Sequence, residues 1–211
     1  MSLIDFDNRF FTEGYKHICG IDEAGRGPLA GSVFAAAVIL PHGFVIPELD
    51  DSKKLTPKKR DMLYDIIIEN ALAYHIAQAD ESEIDSMNIL NATMLVMCRA
   101  HTGLSIATDI ILVDGNKSPD FGNPDIPSVT VIGGDAKSAV IAAASILAKV
   151  ARDRYLVELD AKYPQYMFAQ HKGYGTKLHY EKLDEFGPCP AHRESFLKKW
   201  KAGRKDAEVK I

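Results

Sequence analysis

Apolar residues mark out strands and helices in turn along the chain. Ile18–Glu23 and Val33–Leu40 are runs of strand length, joined by the glycine-rich Gly25-Arg26-Gly27-Pro28-Leu29-Ala30-Gly31. Pro41, Gly43 and Pro47 then mark a loop. Thr56-Pro57 offers a capping hydroxyl followed by proline at a first helical position. Met62, Leu63, Ile66 and Ile67 continue at helical spacing, which predicts a helix to about Ala71. Tyr74–Ala79 alternates like a strand. Between Glu83 and His101 the positions of Ile84, Met87, Leu90, Met94, Leu95 and Met97 predict a helix or a pair of helices. Asp109–Asp114 and Ser128–Ile132 predict two further strands, with Pro119, Pro124 and Pro127 forcing a loop between them. Lys137 to about Lys162 is the longest helical stretch. After Tyr163-Pro164 the chain turns polar and aromatic as far as Thr176, and two short helices are predicted near 177–186 and 193–203. The expected class is α/β: a mixed β-sheet flanked by helices over residues 1–163, with a small C-terminal helical subdomain over 164–211.

Composition adds exclusions. The 211 residues are 46% hydrophobic and 26% charged, ordinary globular proportions that set aside collagen-like and disordered classes. The longest apolar run, Val33–Leu40, is far short of the roughly 18 residues of a membrane span. Asp5 and Asp7 stand where a signal peptide has a basic start and an apolar core. Cys19, Cys98 and Cys189 form no CxxC pair and cannot all pair with one another. That suits a reducing compartment, and the expectation is a cytoplasmic protein without membrane contact. Standard size and the lack of an obvious dimer helix make the expected state a monomer.

The net charge of −4 argues against a nucleic-acid binder until its distribution is considered. From Ala191 to Ile211 seven Lys/Arg face three acids, so this tail is basic and the remainder more acidic than the total. A second cluster, Lys53-Lys54-Leu55-Thr56-Pro57-Lys58-Lys59-Arg60, is also basic. Local patches of this kind can bind phosphates on an acidic protein, or can be solvated helix faces.

Candidate chemistry sits at strand ends. Asp22-Glu23 closes the first strand, Asp114 ends the strand before Gly115-Asn116, and Asp135 follows Gly133-Gly134 ahead of the long helix. Singly, each is as well explained by a turn or a helix cap. Converging over one edge of an open α/β sheet, they would repel one another unless cations neutralise them, and all-oxygen ligation suits Mg²⁺ or Mn²⁺. Two such ions can clamp an in-line phosphoryl displacement. Adjacent strand residues point to opposite faces, so Asp22 and Glu23 can share a site only if the strand ends or kinks there. Asp153, beside Arg152 and Arg154 in the long helix, has the setting of a structural ion-pair partner. The Gly25–Gly31 loop is either a tight connection or a backbone able to approach a sugar or phosphate. In His171-Lys172-Gly173-Tyr174-Gly175-Thr176 an aromatic stands between glycines, able to stack on a base or sugar. Thr176 would cap the next helix. The seven histidines show no HxxxH or HExxH and default to surface or packing roles. Cys19 reads as core.

Taken together, GIDEAGRGPLAG (Gly20–Gly31), DDSKKL (Asp50–Leu55), NILNATMLVM (Asn88–Met97), LVDGN (Leu112–Asn116), GGDAKS with AAASILAKVARD (Gly133–Asp153) and FAQHKGYGT (Phe168–Thr176) resemble the ribonuclease HII family. The resemblance implies a ribonuclease H-like fold. It also implies Mg²⁺- or Mn²⁺-assisted hydrolysis of the RNA strand of RNA–DNA hybrids, and cleavage 5′ of single ribonucleotides embedded in duplex DNA. The products would carry 3′-hydroxyl and 5′-phosphate ends. By motif position Asp22, Glu23, Asp114 and Asp135 would be the catalytic, metal-binding carboxylates. Gly25, Arg26 and Gly27 would contact the ribonucleotide and its 2′-hydroxyl, and Tyr174 would sit at the RNA–DNA junction. Lys53, Lys137 and Lys172 are expected phosphate contacts. Other readings remain: a nuclease or recombinase of the same fold without ribose preference, or a non-catalytic nucleic-acid-binding domain. A dinucleotide-binding module is disfavoured by the acids before the glycine loop and by Pro28.

Overall fold

In the computed structural model, which describes residues 3–49, 52 and 55–208, the strands form one five-stranded sheet in the order β3-β2-β1-β4-β5. Strand β1 (Ile18–Ala24) is antiparallel to β2 (Val33–Ile39), and β2 is antiparallel to β3 (Ala73–Ala79). On its other side β1 runs parallel to β4 (Ile110–Asp114), which runs parallel to β5 (Ser128–Val131). The carboxyl ends of β1, β4 and β5 therefore share one edge, the edge at which open α/β sheets receive ligands. Mixed pairing, with helices on both faces, is the architecture the pattern predicts.

Alternation along β1 divides the core. Ile18 joins Val38 and Leu112 on one face, under α1 (Leu3–Thr12), α2 (Pro57–Asn70) and α5 (Ala139–Lys162). Cys19 and Ile21 join Ile39, Ile111 and Val113 on the other, under α3 (Glu81–Met87) and α4 (Ile89–Thr102). Helix α5, about 36 Å long at 1.5 Å per residue, lies across β1 with almost no gap. A Cβ at Gly20 would fall 2.2 Å from the Val140 carbonyl carbon, so only glycine permits this approach. Beyond α5, the short α6 (Phe168–His171), α7 (Lys177–Phe186) and α8 (Lys198–Glu208) complete the described chain. Among the described residues no helix is long and apolar enough to cross a membrane.

Expected boundaries mostly match, and the differences have local causes. Thr56 caps α2 by accepting from Lys59 N, and Thr176 caps α7 by accepting from His179 N. The stretch from Glu83 to His101 is two helices because Asn88, at φ 72°, ends α3 while its side chain accepts from Leu90 N and Asn91 N of α4. The helix predicted near 193–203 is a 3₁₀ turn, Glu194–Phe196, followed by α8. Helix α1 was not expected at all. It packs Phe10 on the core and carries Asp7 inward.

Asp7 sits at the N-terminus of α5, where Oδ2 accepts from Val140 N at 3.1 Å while Oδ1 is buried without a hydrogen-bond partner. Burial raises its pKa to about 6, more than the bonds from Ser138 and Val140 lower it. The folded chain therefore keeps this proton at pH values where the unfolded chain has released it. Asp7 stabilises the fold least above pH 6, and its share of stability falls by about 3 kcal/mol between roughly pH 4 and pH 6. Asp7→Asn keeps an acceptor and carries no charge. Its melting temperature relative to the unsubstituted protein should accordingly rise by several degrees between pH 4.5 and pH 7.5. A difference that does not change with pH would show that Asp7 is not titrating in this way.

Candidate active site

Three carboxylates meet electrostatically at the common edge. Asp22 is buried on the α5 side of β1, its Oδ1 accepting from Glu23 N at 2.7 Å. The Ser145 hydroxyl of α5 also donates to it. The hydroxyl of Ser52 lies 2.8 Å from that of Ser145, and this two-serine relay backs the carboxylate. Burial first, then the charges of Glu23 and Asp114, push Asp22 well above the usual carboxylate range. Glu23 is raised by burial and by Asp114, against the opposing pull of Arg26, whose Nη1 lies 3.2 Å from Oε1. Asp114 accepts from Gly134 N at 2.6 Å, and Asp135 follows in the same buried 3₁₀ turn.

No kink falls at Asp22-Glu23 itself. β1 stays in register with β2 through Ala24 and leaves the strand path only at Gly25. The two acids nevertheless border one cavity, because pairing with β4 stops at Ile21–Val113 and leaves the end of β1 open on that side. A cavity of about 180 Å³ lies toward α5, lined by Asp22, Glu23, Gly25, Ser145, Lys149 and Tyr174 among others. A cleft of about 260 Å³ lies toward α4, and Glu23, Arg26, Asp114 and Asn116 help line it. Glu23 borders both.

The donor set is carboxylate oxygen alone, which fits a hard divalent cation, and positive charge there would relieve the repulsion that lifts Asp22 and Glu23. Among the described residues no three His, Cys, Asp or Glu side chains are already drawn together closely enough to hold an ion. Asp22 and Asp114 are each turned onto a backbone N–H instead.

The Gly25–Gly31 loop is fixed by two fully buried arginines. Arg193 donates to the carbonyls of Gly25 (2.7 Å), Arg26 (3.1 Å) and Gly31 (2.6 and 2.8 Å). Arg152 donates to Ala30, Ser32 and Lys172 carbonyls at 3.2–3.3 Å. Burial, and next the charge of Arg152, lower Arg193 to about 9, so it stays charged at neutral pH. Backbone bonds from Leu29 N to Gly173 O and from Gly31 N to Ala191 O tie the loop to the segments around residues 173 and 191. Gly27 and Arg26 are left exposed, and Tyr174, also exposed, stands beside Gly27. Nothing in the sequence marks these arginines' role, because their partners are backbone carbonyls, most of them more than a hundred residues away.

Other expected residues scatter. Lys137 is exposed and donates to Ile132 O at 2.6 Å. Lys172 lines a groove of about 340 Å³ beside Arg60, Lys149 and Arg154, next to the Asp22 cavity. Lys53 lies outside the described residues. Asp153 is an ion-pair partner, but of Lys149 (2.7 Å) and Arg60 (3.8 Å), not of its chain neighbours Arg152 and Arg154. On a helix the side chain four residues back shares a face and adjacent ones do not. The histidines include a buried group, His171, His179 and His192, which motif spacing could not reveal.

The family model for ribonuclease HII matches residues 19–201. A ribonuclease HII of Caldicellulosiruptor bescii is 54% identical over 197 residues, covering 93% of this chain and 94% of the relative. The crystal structure of the ribonuclease H2 from Pyrococcus horikoshii OT3 superposes with TM-score 0.73 at 27% identity, covering 90% of this chain and 99% of that one. Bst-RNase HIII, solved in complex with Mn²⁺, shares the fold with TM-score 0.67 at 14% identity, covering 86% of this chain and 67% of that one.

Gly25 provides a direct check on the loop. At φ +100°, a Cβ there would lie 2.1 Å from Arg152 Nε. Gly25→Ala must strain the backbone and displace Arg152, at a cost of about 1–3 kcal/mol. Melting should drop by roughly 2–4 °C for each kcal/mol, with cleavage falling at least about tenfold alongside. Unchanged melting and turnover would mean that the loop is not held as described.

Proposed function

The chain belongs to the ribonuclease HII family, endoribonucleases that hydrolyse the RNA strand of RNA–DNA hybrids, and on that premise we propose that it also cuts 5′ of single ribonucleotides in duplex DNA. The observation that carries this reading is the fixed Gly25-Arg26-Gly27 backbone beside Tyr174, set against the carboxylate edge. The 2′-hydroxyl is what distinguishes RNA from DNA, so an enzyme acting on one ribonucleotide must read it at the cut site. A rigid, exposed glycine backbone can approach a ribose closely, and the Tyr174 ring can pack on the sugar of the next nucleotide.

In this reading Asp22, Glu23, Asp114 and Asp135 hold Mg²⁺ or Mn²⁺. Bound there, the cations would activate water and offset charge on the leaving 3′-oxygen. The Ser52–Ser145 relay keeps Asp22 aimed at the edge. Arg26 balances Glu23 until substrate arrives. Attack of water on phosphorus breaks the bond to the 3′-oxygen, leaving a 3′-hydroxyl and a 5′-phosphate. The groove with Lys172 and Arg154, the exposed Lys137, and Lys53 supply phosphate contacts. The carboxylate chemistry is what supports a divalent ion, and RNase HIII, of the same fold, was solved with Mn²⁺. We further propose action as a monomer in the cytoplasm.

Cleavage of a duplex carrying one ribonucleotide should stop in chelator and return with Mg²⁺ or Mn²⁺. Undiminished cutting in excess chelator would overturn the assignment of the carboxylates. Two aspartates should separate in a paired assay of turnover and melting. Asp135→Asn should remove nearly all turnover at little cost in stability, whereas Asp153→Asn, breaking the ties to Lys149 and Arg60, should chiefly lower the melting temperature. The reverse result would move the fourth ligand to Asp153. On the same duplex Tyr174→Ala should lose more activity than Tyr174→Phe, by about tenfold if stacking contributes 1–3 kcal/mol. An Ala variant as fast as the unsubstituted protein would leave ribonucleotide reading to the Gly25–Gly27 loop alone.

A further inference from the structure

Behind Tyr174 lies a chain of hydrogen bonds that the chemistry above does not use. His179 Nδ1 is 3.0 Å from Tyr174 O, His179 Nε2 is 3.0 Å from His192 Nε2, and His192 Nδ1 is 3.0 Å from Cys189 N and 3.2 Å from Cys189 Sγ. His179 and His192 are buried. His171 stacks on His179 at 4.2 Å between ring centroids. It accepts from Gly173 N through Nδ1 and faces Tyr166 O through Nε2.

The tautomers follow from the partners. A carbonyl oxygen only accepts, so His179 Nδ1 carries the proton toward Tyr174 O. A neutral His179 then presents a bare Nε2, and His192 Nε2 must donate to it. His192 Nδ1 is left to accept from the Cys189 N–H and thiol. The alternative contact, His192 Nδ1 to Cys189 O at 3.3 Å, would reverse the whole chain and set a lone pair against Tyr174 O. A second proton on either ring would put two N–H groups face to face. Burial agrees, holding both histidines down to about 4. The wire is therefore neutral, fully satisfied and directional. It ends on a carbonyl that also receives Thr176 N at 2.8 Å.

We propose that His179, oriented by His192 and Cys189, is a positioning residue that sets the Tyr174 peptide and thereby the pose of the tyrosine ring against the nucleotide beside the cut. The geometry favours this over a packing role alone because two histidines grip the backbone on either side of the Gly173–Tyr174 peptide, His171 at Gly173 N and His179 at Tyr174 O, in a segment whose other face is the exposed ring. The inference rests on Tyr174 acting in substrate recognition, as proposed above.

Two substitutions at the same buried position test it. His179→Asn can place an amide N–H near the Nδ1 position and keep the bond to Tyr174 O while losing His192. His179→Gln reaches toward His192 instead and loses the bond to Tyr174 O. Each variant is measured for melting temperature and for kcat and KM on a duplex with one ribonucleotide, in the Tyr174 protein and in a Tyr174→Ala background. With similar melting temperatures, the Gln variant should lose about tenfold more kcat/KM than the Asn variant in the Tyr174 protein. The gap should close to within about twofold in Tyr174→Ala, where there is no ring left to position. Equal losses for Asn and Gln, or a gap that persists at full size without the ring, would overturn the proposal. If Tyr174→Ala alone loses nothing, the recognition reading itself fails, an outcome distinct from a persisting gap, and the positioning role falls with it.

Discussion

Two guanidinium groups taken out of water hold this molecule's working parts together. Arg152 and Arg193 are both fully buried, and what they meet there is backbone carbonyl oxygen. Such a group is costly to bury unless its N–H donors are satisfied. Gly25, Arg26, Ala30, Gly31 and Ser32 supply the acceptors, along with Lys172. The bargain is mutual. A glycine-rich loop with few side chains to pack would otherwise have several arrangements, and the fork geometry of arginine selects one. Leu29 and Ala30 then pack into separate apolar clusters on the C-terminal elements.

The acids depend on topology in a different way. Because β1 is antiparallel to β2 and parallel to β4, only one of its flanks runs out of pairing at Ile21. Glu23 can therefore border both the cavity facing α5 and the cleft facing α4 without a break in the strand. Alternation, which from the sequence looked like an obstacle to a shared site, instead sets two carboxylates on either side of one sheet edge. Gly20 serves the same end by letting α5, which carries Ser145, lie directly on β1.

Much of this was legible in the sequence. The strands and α2, α5 and α7 follow from apolar spacing and from the capping threonines Thr56 and Thr176. Strand-end placement of Asp22, Glu23 and Asp114 follows from the same pattern. What escaped was non-local. Arg152 and Arg193 look like ordinary basic residues until the carbonyls they serve are brought to them. The partners of Asp153 come from its own helix one turn back and from α2, rather than from its chain neighbours. His179 and His192 have no ligand-like spacing because they hold a peptide and each other. The division at Asn88 turns on a single positive φ that apolar periodicity does not encode.

The position of Arg193 in the chain has a consequence for biosynthesis. A polypeptide leaves the ribosome from its N-terminus, so Asp22, Glu23, Asp114 and Asp135 all emerge well before Arg193. Until then the Gly25–Gly31 loop lacks half of its clamp, and the segment bearing Tyr174 lacks His192. A nascent or prematurely terminated chain thus carries the strands and their acids without the donors that fix the Gly25–Gly31 loop. The order of synthesis makes the fixing of this loop one of the last steps, arriving together with the closing contacts of the fold.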